Sequence, residues 1–248
     1  MLGVASALVS LLLGAAAAPP PYDAAPAPLA GRVIVIDPGH QLGNHNYPGQ
    51  INREVPAGGF EKPCNTTGTA TSDGFPEATF AWRVARQLGS SLVEQGAQVV
   101  FTRHSNREDR WGPCVDVRGR AGNNADADLK ISIHGDGSNT AGAHGFHVIA
   151  PTDRGRWTHD IYRTSRRLAL DTRAALRSAG VPVANYTAGG DGLDFRSDLG
   201  TLNLSDIPTV MVELGNMRNA TDARRMTRPG GRHTYARALA DAVRHFLR

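Results

Sequence analysis

Cysteine, lysine and aromatic residues are scarce in this chain, and each scarcity excludes something. Only two cysteines occur in 248 residues, Cys64 and Cys114, in the unlike contexts KPCNT and GPCVD. Neither lies in a C-x-x-C pair, so a redox dithiol or a zinc ribbon lacks its ligands. The only lysines are Lys62 and Lys130, and basic charge rests almost wholly on arginine. With 27 basic and 23 acidic residues the net charge is +4, and no run of five basic residues exists. That argues against a nucleic-acid partner. Hydrophobic residues at 40% and charged residues at 20% exclude a disordered chain or a collagen-like fibre. There is no HExxH or HxxE, no GxSxG, and no GxGxxG or P-loop. Thermolysin-like and carboxypeptidase-like zinc sites, the serine-hydrolase elbow and a nucleotide cradle are thereby set aside.

The one long apolar run lies at the N-terminus. Residues 1–22 carry no charged side chain, and MLGVASALVSLLLGAAAA leads into PPPYDAAPAPLAG. This is the pattern of a secretory signal with a small-residue cleavage zone, with an uncleaved anchor as the competing reading. Residues 1–30 are expected to be a signal peptide and proline/alanine-rich linker, and 31–248 the working domain. The protein is then secreted, to the periplasm or cell-wall space, with no membrane contact after cleavage. No basic residue precedes the apolar run, the first being Arg32, so a start further upstream is expected. Export agrees with a single Cys64–Cys114 disulfide, the alternative being two buried thiols. Closing about 50 residues stabilises a fold by about 4 kcal/mol in the chain-entropy model.

From residue 32 onward, short apolar runs alternate with helical segments. Residues 32–37 (RVIVID), 98–103, 129–134 (LKISIH), 146–150 and 209–214 (TVMVEL) read as strands, β-branched and apolar on both faces. Residues 76–95 read as a helix with Phe80, Val84, Leu88 and Leu92 on one stripe, stopped by Gly96. Residues 157–179 and 234–247 read as two more. The alternation predicts a three-layer α/β domain. Two stretches break the rhythm: 41–75, rich in Gly, Asn, Pro and Thr, and 184–206. Long connections of this kind are usually functional or disordered.

Three strand ends carry side chains able to bind metal or move protons. VIVIDPGH places His40 past the edge of the first strand, and ISIHGDG places His134 past the third. Glu213 sits among apolar residues in TVMVELGNM, and Glu77 opens the first long helix. Two His and one carboxylate leave an open position on a tetrahedral zinc, as in catalytic sites. A further carboxylate then serves as general base. Each residue also has a plainer reading: a hydrogen-bonding strand-end His, a first-turn acid favoured by the helix dipole, a buried acid paired with arginine. Asp37 before Pro-Gly reads as a turn former rather than a ligand. His45, His104, His144, His147, His159, His233 and His245 read as solvated or structural.

VIVIDPGH, GAQVVFTRHSN, VRGRAGNNADADLKISIHGDG, GFHVIAP and IPTVMVELGNMRNATDARRM resemble, in order and spacing, the zinc-dependent N-acetylmuramoyl-L-alanine amidases of amidase_3 type. The resemblance runs from Gly31 to Arg248. It implies that His40, Glu77 and His134 bind Zn²⁺ and that Glu213 is the catalytic glutamate. It implies an α/β fold, a three-layer αβα sandwich around a mixed, mostly parallel sheet of about six strands. It implies cleavage of the amide between N-acetylmuramic acid and L-alanine in peptidoglycan or its muropeptide fragments. No wall-binding repeat is present in the sequence, so a catalytic domain that stands alone and acts as a monomer is expected. Alternatives are a zinc hydrolase cutting another stem bond and a non-catalytic wall-binding regulator. The family's DPGHGG becomes DPGHQLG here, and SIHAN becomes SIHGDG. The 41–75 connection follows His40 and precedes Glu77, so it is expected near the metal. Stapled by the disulfide, it either shapes the cleft or is structural only.

Overall fold

The computed structural model describes residues 27–248. Most of the expected signal and linker segment therefore lies outside the described residues. Within them, Leu29 is already buried in the main core, and its N–H donates to Gln95 O.

Among the described residues eight strands form: β1 (Val33–Pro38), β2 (Glu54–Pro56), β3 (Glu61–Pro63), β4 (Gln98–Phe101), β5 (Leu129–Asp136), β6 (His147–Pro151), β7 (Leu193–Arg196) and β8 (Thr209–Asn216). Six make one sheet in the order β4-β1-β5-β8-β6-β7, parallel except where β6 meets β8, and β2 and β3 form a separate antiparallel hairpin. The helices are α1 (Pro48–Ile51), α2 (Glu77–Glu94), α3 (Val115–Arg120), α4 (Tyr162–Ser178), α5 (Gly200–Asn203), α6 (Ala220–Thr227) and α7 (Pro229–Phe246). The expected six-stranded mixed sheet with helices on both sides is what forms.

The strands alternate between two unequal layers because their side chains alternate in direction. Ile34, Ile36, Ile131, Ile133, Val210, Val212 and Leu214 point to the face covered by α2, α4, α6 and α7, where Phe80, Leu88, Leu168, Tyr235 and Leu239 complete the main core. Each such side chain stabilises the fold by about 1.5–3 kcal/mol through burial alone. The opposite face is covered only by the short α3 and α5 and the β2–β3 hairpin. There the apolar patches are small, Val35 with Ile207 and Met211 with Ile149 and Leu202. Asp37, Lys130, Ser132, His134 and Glu213 share this thin side, where the carboxyl ends of β1, β5 and β8 stay open. Open α/β sheets place ligands at that edge.

The irregular stretches contain more order than their composition suggests. The 41–75 connection holds α1 and the hairpin, and Cys64 is bonded to Cys114. The 184–206 stretch holds β7 and α5. The C-terminal helix begins at Pro229, five residues before the expected start, since proline suits a first turn.

Candidate metal centre and its cleft

His40 sits at φ +55, an uncommon conformation for a residue with a side chain. Two buried arginines hold the turn there. Arg118 donates to Asp37 Oδ1 at 2.6 Å, Pro38 O at 2.7 Å and His40 O at 2.6 Å. Arg103 donates to Pro38 O at 3.0 Å, Gly39 O at 3.2 Å and Ala78 O at 2.8 Å, which ties the turn to the head of α2. Asp37 is the anchor beneath, accepting also from Ser132 Oγ at 2.6 Å and Thr102 Oγ1 at 2.5 Å. Burial alone would raise its pKa, but Arg118 and the two hydroxyls outweigh that and hold the carboxyl well below the usual range. Lys130 is fully buried and donates to Arg118 O and Gly119 O, closing the end of α3. Burial pushes its ammonium down to about 7.

Three donor atoms converge above this platform. His40 Nε2 lies 3.1 Å and His134 Nδ1 2.9 Å from Glu77 Oε1, and one ligand atom from each residue lies within 4.8 Å of the others. His40 Nδ1 lies 3.1 Å from Thr66 O, which can only accept, so Nδ1 carries a proton and Nε2 is the nitrogen turned to the triad. Glu77 Oε2 accepts from Thr69 N–H at 2.9 Å, and Oε1 accepts from Gly135 N–H at 3.2 Å. Burial opposes ionisation of Glu77, but the facing imidazoles outweigh it and hold the carboxyl well below the usual range. Two glycines make the approach possible. A Cβ on Gly39 would lie 2.4 Å from the His134 ring, and one on Gly68 would lie 2.9 Å from both Glu77 Oε2 and His40 Cδ2.

Two half-buried imidazoles and a buried carboxylate, aimed at one point, fit zinc better than magnesium or calcium, which prefer all-oxygen sets. Only three protein donors converge among the described residues, the count of a catalytic rather than a structural zinc site.

Glu213, on β8, stands in register beside His134 on β5 and lines the same cleft of about 510 Å³. Its Oε2 is buried with no hydrogen-bond partner among the described residues. Burial, then the charges of Glu77 and Asp136, push its pKa well above the carboxylate range, against a smaller opposing pull from Arg196. A bound cation at the triad reverses such a bias. Val115, Leu199 and Met211 give the cleft an apolar wall, and Lys62, Asn65, Thr66 and Thr69 from the 41–75 connection line its rim. That connection therefore shapes the cleft. Its hairpin is tied down, with Lys62 Nζ donating to Asp198 O at 2.9 Å, Arg154 to Gly58 O at 2.8 Å and Asn203 to Ala57 O at 2.9 Å.

All four residues singled out from sequence thus meet at one cleft. His45 lies apart, exposed and facing Glu108 at 3.3 Å. Asp37 is a structural anchor rather than a ligand. The roles of Arg103, Arg118 and Lys130 escaped the sequence reading, although TRHSN and VRGR were in view. The available signal was a lysine within the apolar strand LKISIH.

Residues 34–245 match the family model described as N-acetylmuramoyl-L-alanine amidase. The chain is 39% identical over 228 residues to the N-acetylmuramoyl-L-alanine amidase Rv3717 of Mycobacterium tuberculosis, covering 91% of this chain and 90% of that protein. It superposes on the crystal structure of apo Ami1, an N-acetylmuramyl-L-alanine amidase from Mycobacterium abscessus, with a TM-score of 0.80 at 40% identity, covering 88% of this chain and 100% of that one. Ami1 from Mycobacterium smegmatis gives a TM-score of 0.80 at 36% identity, over 88% and 98% of the two chains. AmiC2 of Nostoc punctiforme, at 19% identity and a TM-score of 0.64, over 88% of this chain and 98% of that one, shares the fold. With the match spanning the sheet, the triad and the strand of Glu213 together, this chain belongs to the N-acetylmuramoyl-L-alanine amidase family.

Proposed function

We propose that this chain hydrolyses the amide joining the lactyl group of N-acetylmuramic acid to L-alanine of the peptidoglycan stem, with Zn²⁺ held by His40, Glu77 and His134. The observation that carries the reading is the convergence of those three donors, with the buried Glu213 carboxyl lining the same cleft. Zinc in such a donor set supplies a Lewis acid that polarises the scissile carbonyl and acidifies water. The chain's own residues do the rest. Glu213 accepts the proton of the attacking water and returns it to the departing L-alanine amine. A buried carboxyl that lines the cleft is placed to take up that proton and to give it back. Val115, Leu199 and Met211 offer the apolar wall against which the substrate would lie.

The same reading takes residues 31–248 as the catalytic domain of a secreted monomer, with 1–30 as signal and linker and no nucleic-acid partner. The oxidised Cys64–Cys114 pair supports an oxidising compartment. Among the described residues no helix is long and apolar enough to cross a membrane.

The test is mass spectrometry of the soluble products of purified peptidoglycan, with and without a chelator. Free stem peptides beginning at L-alanine, lost on chelation and restored by zinc, are expected. Glu213→Gln should retain zinc and lose at least about a hundredfold in rate. Products cut within the stem would move the bond, and full activity of Glu213→Gln would overturn the assigned role.

A further inference from the structure

One buried imidazole beside the cleft has no work assigned to it. His147 opens β6, and the antiparallel register sets it directly across from Glu213. His134 stands on the other side of Glu213, so three strands present His134, Glu213 and His147 as one row on the thin face of the sheet. Directly opposed residues in an antiparallel pair hold their Cβ atoms about 4.5–5.5 Å apart. His147 is only 4% exposed.

Two atoms on this rung are orphaned. His147 Nδ1 and Glu213 Oε2 are both buried, and neither has a hydrogen-bond partner among the described residues. A buried donor or acceptor left unpaired costs free energy, and folded proteins rarely tolerate two as neighbours. Here one is able to donate and the other to accept. The ring is also walled in. Tyr186 meets it edge-on, with centroids 6.1 Å apart, and the Tyr186 hydroxyl is held by donating to Asp136 Oδ2 at 2.7 Å. Asp136, Asp194 and Arg196 are the charged groups that act on His147 from β5 and β7.

We propose that His147 is a positioning residue for Glu213: the register lets a side-chain rotation bring its Nδ1–H to Glu213 Oε2, a bond not made in this structure, which would fix the carboxylate and leave the other oxygen to handle the water proton. The inference rests on the amidase reading above, and it extends that reading to a residue outside the metal triad. A hydrogen bond to a charged group is worth enough that losing this one should cost about ten- to a hundredfold in rate.

The experiment compares His147→Leu, His147→Asn and His147→Gln for kcat, KM, zinc content and Tm on one muropeptide. An asparagine amide nitrogen stands close to where imidazole Nδ1 stood, whereas that of glutamine lies one bond further out. The expected result is a loss of about ten- to a hundredfold in kcat for His147→Leu, with KM and zinc content within about twofold of the parent. His147→Asn should recover most of that loss, and His147→Gln should not. A His147→Leu enzyme with the parent's kcat overturns the proposal, as does equal activity of the Asn and Gln variants or a loss that tracks zinc content. If His147→Leu fails to fold, the Asn–Gln comparison decides alone. A parent enzyme that releases no stem peptide overturns the amidase reading and this inference with it. An active parent with unaffected variants overturns the inference only.

Discussion

Arg118 carries the sharpest energetic expectation in this molecule. Its guanidinium is 3% exposed and pairs with the 1% exposed Asp37 carboxylate at 2.6 Å. Removing one partner of a buried pair leaves an uncompensated charge and costs about 3–5 kcal/mol. Arg118→Met should therefore destabilise the protein by that amount, and so should Asp37→Asn. The double variant leaves no lone charge, so its cost should fall short of the sum of the singles by about 2 kcal/mol or more, within the range seen for directly coupled residues. Urea unfolding at pH 7, at one fixed free zinc concentration, is the assay, since zinc binding to the folded state shifts apparent stability. Arg118→Lys separates charge from geometry. It keeps the cation but not the planar fork that reaches Asp37 Oδ1, Pro38 O and His40 O together. Its stability should recover, while zinc affinity should stay about ten- to a hundredfold weaker because the His40 turn is no longer held. Additivity of the two singles within about 0.5 kcal/mol would refute the claim that Arg118 and Asp37 act as one unit.

Gly68→Ala should loosen the metal site, because φ +76 and contacts of 2.9 Å with Glu77 and His40 leave no room for a methyl; a cost of about 1–3 kcal/mol is expected, and an unchanged Tm and zinc affinity would contradict it. Replacing both cysteines by serine opens a bridge with a sequence separation of 50, and denaturant titration should find a loss of about 4 kcal/mol. Asp37 has a folded pKa held below its unfolded value, so the stability it adds is present above about pH 4 and is lost as pH falls further, where the unfolded chain takes up the proton first. Acid titration of stability should be steeper in the parent than in Asp37→Asn, and parallel curves would remove that role.

The sheet was legible because its strands are short, β-branched and apolar on both sides, and the long helices because Phe80, Val84, Leu88 and Leu92 repeat with the helical period. His40, His134 and Glu213 were legible because a polar residue at the end of an apolar strand stands out. β7 was not: LDFR has one fully buried position, and an edge strand with that pattern looks like a loop. The β2–β3 hairpin, EVP and EKP, carries charges and prolines and is held by contacts distant in sequence. The arginine platform escaped for a related reason. Arg103 and Arg118 bond almost entirely to backbone carbonyls, which have no sequence identity to reveal them. His147 was set aside as structural, and only the register across β6 and β8 sets it opposite Glu213.

The place of β8 in the sheet bears on when the molecule becomes complete. It is the last strand of the described chain, yet it lies between β5 and β6 and is the only strand that joins the β4-β1-β5 half to the β6-β7 half. A nascent chain that ends before Thr209 has two partial sheets with no rung between them, and Glu213 has not yet been synthesised. Biosynthesis therefore delivers His40, Glu77 and His134 first, and Glu213 only with the strand that enters the centre of the sheet. A chain that stalls or is clipped early is left with an unpaired sheet edge, without Glu213 and without the strand that binds the two halves into one body.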